Sequence, residues 1–131
     1  MEPTIDPEAA IAACVRSFYD QARQDALLGP VFNHMIRDWD SHLALVQNFW
    51  SRALLGTKRY DSSPFLSHAN LPIEPEHFVR WLELFAATAK ASLPPELAEK
   101  ACAKANHMAE SFKAGLFPFV DAQGRPSRQP G

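Results

Sequence analysis

The sequence predicts an all-α fold, and three observations carry that reading. Glycine is scarce, with 5 in 131 residues. Runs of β-branched residues are missing, and apolar residues recur at three- and four-residue steps, which places them on one face of a helix. The length fits one domain with a real core. Apolar residues at 47% and charged residues at 21% are ordinary for a globular protein and exclude a disordered or collagen-like chain. A formal charge of -2 leaves no electrostatic case for nucleic acid or an anionic membrane as partner. No stretch approaches the roughly 18 consecutive apolar residues of a spanning helix, and "MEPTIDPEAA" lacks the order of a signal peptide. A cytoplasmic protein is therefore expected, with Cys14 and Cys102 as reduced thiols on different helices.

Four helical blocks are predicted. The first starts at Asp6-Pro7-Glu8, a cap followed by a first-position proline and an acidic first turn. Its stripe of Ile11, Val15, Phe18 and Ala22 runs toward Gly29-Pro30. The second spans about Asp40 to Gly56, with Ser41 or Asp40 as cap and Gly56 as stop signal. Leu43, Val46, Phe49, Trp50, Ala53 and Leu54, extended by Trp39, give it a wide apolar face that calls for heavy burial. The third begins at Pro75, carries Phe78, Trp81, Leu82, Phe85 and Ala89, and breaks at "LPP". The fourth follows Pro95 with Leu97, Ala101, Ala105, Met108, Phe112, Leu116 and Phe119. Residues 1–120 thus read as one domain and 121–131 as a polar, mobile tail. Residues 57–74 form a linker too long to be idle, and Phe65, Leu66 and Leu71 argue against disorder there.

Five histidines remain to be placed. His107 lies among charged neighbours and His34 in a turn region, so both are expected in solvent. His77 sits in the first turn of the third helix, at the edge of any site near Trp81. His42 lies on or beside the buried face of the second helix, one and two turns before Val46 and Phe49. His68 stands in "SPFLSHANLPIEP", a short apolar segment fenced by Pro64 and Pro72. A core histidine bonded to a backbone carbonyl is the plain reading of either. Two inward histidines from separate segments also suit a shared buried object. Zinc lacks H-E-x-x-H and would need Cys14 as a third ligand. A large planar apolar cofactor suits 9 Phe and 3 Trp better, and a noncovalent haem needs one axial histidine in an apolar cage. No C-x-x-C-H is present for covalent attachment.

Four stretches, in order, resemble a truncated hemoglobin of the third group: "SFYDQARQDALLGPVFN", "HLALVQNFWSRALLG", "RYDSSPFLSHANLP" and "PEHFVRWLELF". They cover about residues 8 to 120. The resemblance implies a shortened globin fold, a two-over-two helical sandwich around haem b. It implies His68 as proximal iron ligand and His42 at the distal position. Tyr19 and Trp81 match ligand-stabilising residues, and Phe32 and Val46 match residues that pack on the haem. From the residues alone Tyr19 reads as a boundary tyrosine, since Phe18 takes the centre of the stripe.

Such a protein would bind O2, NO or CO at the sixth position of the iron. Up to three donors around that ligand favour retention over transport, hence O2 or NO chemistry or sensing. Nitric oxide dioxygenation, which needs a reductase to restart, and a peroxidase-like reaction are both open, each dependent on an external reductant. If His42 binds the iron instead, electron transfer or redox sensing follows. A cofactor-free helical interaction module is the remaining alternative. Lys58, Arg59 and Tyr60 are placed to meet the haem propionates, though a solvated basic pair reads as well.

Overall fold

The computed structural model describes residues 6–58, 60, 73–117, 119–120 and 122–127. Among them are five helices: α1 (Pro7–Ala22), α2 (Gly29–Met35), α3 (Trp39–Leu55), α4 (Pro75–Ser92) and α5 (Pro95–Leu116). A short antiparallel pair, β1 (Phe119–Val120) with β2 (Pro126–Ser127), aligns Phe119 with Ser127. None of these helices is long and apolar enough to cross a membrane.

Helix α1 starts as its sequence dictates, with the Asp6 carboxylate accepting from the Glu8 amide at 3.1 Å. It ends at Ala22, earlier than the apolar pattern suggests. The reason is Asp25, whose Oδ2 accepts the amides of Leu27 and Leu28 and whose Oδ1 accepts Arg80 Nε at 2.7 Å. These bonds, the Leu28 amide first, hold the Asp25 carboxyl below the usual carboxylate range. Gly29-Pro30 then opens α2 rather than closing α1, at positions where a helix tolerates proline. His34, expected in a turn, lies in the last turn of α2 and is exposed, as is His107 on α5.

Helix α3 begins one residue before the expected start. Asp38, not Asp40 or Ser41, is its cap, accepting the Ser41 amide at 3.2 Å and the Ser41 hydroxyl at 2.7 Å. Gly56 ends it in the left-handed region at φ 73°, as the stop signal implied. Helices α4 and α5 match the predicted blocks, although α5 stops at Leu116 and leaves Phe119 to β1.

Helix α1 packs on α3, and α4 packs on α5; the two pairs meet where α1 crosses α4 and α3 meets α5. This is a two-over-two sandwich. Its core runs through Ile11, Phe18, Trp50, Phe85 and Ala101, with a second cluster of Ile73, Phe78, Phe112 and Phe117. Trp50 stacks on Phe85 at 4.7 Å and Phe85 on Trp81 at 5.4 Å. Ser51 is fully buried and donates to Glu8 Oε1 at 2.6 Å, so the Thr57 hydroxyl, 2.8 Å away, donates to Ser51 in turn.

Candidate functional site

The apolar face of α3 is not heavily buried. Only Trp50, Ser51 and Leu54 reach the buried class on this helix, and Leu45 is 45% exposed. The cause is a cavity of about 370 Å³ that opens on this face and is lined by residues of all five helices. Its walls are aliphatic and aromatic, including Val15, Phe18, Leu28, Ile36, Phe49 and Phe112.

Five sequence-predicted residues meet there. Tyr19, Phe32, His42, Val46 and Trp81 all line this one cavity, and so does His77. His68 lies outside the described residues, as does Arg59. The described chain does bracket the His68 segment with two cavity-lining residues, Tyr60 and Ile73. Lys58 is exposed, whereas Tyr60 is buried against Phe49 and its carbonyl accepts Arg52 Nη1 at 2.7 Å.

Two polar groups of the wall form a pair. His42 Nε2 and Tyr19 Oη are 3.0 Å apart, and their rings meet edge to face at 5.1 Å. Tyr19 is only 8% exposed, packed by Phe32 at 5.4 Å and Trp39 at 5.7 Å as well. Burial raises its phenol well above the usual value, so it stays protonated and remains a hydrogen-bond donor. If Nε2 carries the imidazole proton, His42 donates to the phenol oxygen and frees the phenol hydrogen for a third group. His77 accepts the Glu74 amide on Nδ1 at 2.9 Å, which leaves its ring proton on Nε2.

A large apolar group fits this site. Helix α3 turns Val46 and Phe49 toward it without covering them fully, and Met35 and Leu45, 42% and 45% exposed, mark an apolar opening that a bound group would cover. The volume lies in the range of small-molecule and cofactor sites, about 300–1,000 Å³. Sequence spacing could have added Phe49, seven residues from His42 on the same helical face. Met35 and Leu45 carry no such signal, because only the fold puts them at the opening.

No family model matches the chain. A group 3 truncated hemoglobin (ctb) of Campylobacter jejuni subsp. jejuni serotype O:2 is 33% identical over 121 residues, which are 88% of this chain and 94% of that protein. A crystal structure of a group III truncated hemoglobin from Campylobacter jejuni superposes with a TM-score of 0.80 at 32% identity, covering 89% of this chain and 96% of that one. The two-over-two helices, the shared cavity and this near full-length identity lead to one conclusion: the chain belongs to the group 3 truncated hemoglobins.

Proposed function

We propose that the chain binds one noncovalent haem b in this cavity, with His68 as proximal iron ligand and Tyr19, His42 and Trp81 facing a diatomic ligand such as O2, NO or CO. The observation that carries the reading is the Tyr19–His42 pair set in a mainly apolar cavity, against a half-covered face of α3. When bound, the haem supplies an iron with one position open to such a ligand.

The chain supplies the rest. Phe32 and Val46 shape the walls and exclude water, which strengthens each polar contact inside. Tyr19 holds a proton toward the ligand when His42 is in the tautomer that donates from Nε2 to the phenol oxygen, and that bond polarises the O–H. The bond to Tyr19 occupies His42 Nε2, which supports an open sixth position over two axial histidines. Trp81 is held parallel to Phe85, so its indole keeps one orientation in the wall. Donors of this kind retain a polar ligand rather than release it. Retention suits a reaction such as oxidation of NO to nitrate, NO + O2 + e⁻ → NO3⁻, with the electron from an external reductase.

The test is uptake of haem followed by its absorption spectrum. Wild-type protein mixed with haemin should give a stable Soret band. His68→Gly should lose the haem on gel filtration and regain the band with added imidazole. A protein that shows no Soret band is the cofactor-free helical module, and a His68→Gly variant that keeps haem without imidazole assigns the iron to another ligand.

A further inference from the structure

We infer that Trp39 and Arg23 form a clamp that sets the orientation of the Tyr19–His42 pair, a positioning role that rests on the haem reading above. Trp39 does not line the cavity; it stands behind the pair. Its ring meets Tyr19 at 5.7 Å and 67°, and His42 at 6.0 Å and 81°, while those two rings meet each other at 5.1 Å and 87°. Each of the three rings is therefore held edge to face by the other two, and this geometry fixes angle as well as distance, because ring edges and faces carry opposite partial charge.

Trp39 is itself held from a third side. The Arg23 guanidinium carbon lies 4.2 Å from the centre of its ring, a cation–π contact. Arg23 is anchored in turn by Asn33: Asn33 Nδ2 donates to the Arg23 carbonyl at 3.0 Å, and Arg23 Nε donates to Asn33 Oδ1 at 3.4 Å. The clamp thus joins the residue just after α1, α2 through Asn33, and the first residue of α3. A residue at position 39 that merely filled space would need no charge on its outer face. Here an exposed arginine keeps the indole from tilting, and the indole keeps both polar side chains aimed.

The readout is the infrared C–O stretch of the ferrous CO complex, which reports the field of the donors at the ligand independently of turnover. Wild-type protein should give one dominant narrow band. Arg23→Gln, which alters an exposed side chain, should split or broaden that band and speed O2 dissociation by about two- to fivefold, the fold-change a cation–π contact at an exposed site is worth. Trp39→Leu should do so more strongly, and Trp39→Phe, which keeps a ring edge for both partners, should recover part of the wild-type band. If Trp39→Leu does not fold, Arg23→Gln decides alone. An unmoved band in Arg23→Gln overturns the clamp, as does a lowered melting temperature with the wild-type band retained. A wild-type protein that takes up no haem overturns the haem reading and the clamp with it, whereas a normal wild-type CO band beside an unmoved Arg23→Gln band overturns the clamp alone.

Discussion

A phenol placed in an apolar wall keeps its proton at any physiological pH, and at Tyr19 that proton has two destinations, His42 or a bound ligand. Tyr19→Phe keeps the ring and its contacts with Phe32 and Trp39 but removes the hydroxyl. O2 dissociation from the haem-loaded variant, followed by stopped flow, should be about 10- to 150-fold faster, which corresponds to about 1.5–3 kcal/mol for a hydrogen bond to a charged group. An unchanged rate would mean that the hydroxyl serves His42 and not the ligand. Spacing alone did not single out Tyr19, because it lies about 100° around the helix from Phe18, at the edge of the stripe. Its burial comes from α2 and the start of α3, which bring Phe32, Trp39 and His42 over that edge. His42 was more legible, since Val46 and Phe49 on the same helix fix its side.

Cys14 makes a second prediction at the same scale. Burial first, and the neighbouring Cys102 second, push its thiol from 9.0 up to about 11. Above pH 9 the unfolded chain loses this proton while the folded chain keeps it, so stability is full below pH 9 and falls as pH rises toward 11. Chemical denaturation at pH 8 and pH 10.5 should show that loss, on the order of 1–2 kcal/mol from this group. Cys14→Ala should remove that part of the pH dependence, and an identical slope in the variant would assign the effect to other groups such as Tyr19.

At the scale of elements, α2 is the part the sequence concealed. Gly29-Pro30 reads as the end of one helix because both residues stop helices from within, yet the same pair fits the start of another. What decides is the Asp25 carboxylate, which ends α1 early and turns the chain through bonds to Leu27 and Leu28. Gly29 is required at this junction by closeness: a Cβ there would meet the Arg23 carbonyl oxygen at 2.7 Å, a backbone atom that cannot swing aside. Gly29→Ala should therefore lower stability by about 1–3 kcal/mol in urea unfolding. It should also loosen the Asn33–Arg23 contact that fastens α2 to α1. A fully stable Gly29→Ala protein would show that α2 can shift without cost. The longer helices were legible because each carries its own punctuation, Asp6-Pro7 for α1, Gly56 for α3, and Pro75 and Pro95 for α4 and α5.

For the molecule as a whole, the four long helices and their order could be read from apolar period and breakers, but the cavity could not. The face of α3 looked like core because periodicity records only which side is apolar, not what covers it. In the folded chain that side is shared between α1 and an open space lined by Tyr19, His42 and Trp81. That space is lined by residues of all five helices, where α4 packs on α1 and α5 on α3. The most direct test of the central claim, a haem in this space with one open iron position, is the absorption spectrum of the haem-loaded protein reduced to the ferrous state without added ligand. The account expects a high-spin, five-coordinate spectrum that converts fully on addition of CO. A low-spin ferrous spectrum that His42→Leu turns high-spin would contradict the open site, and the absence of any Soret band would contradict the account as a whole.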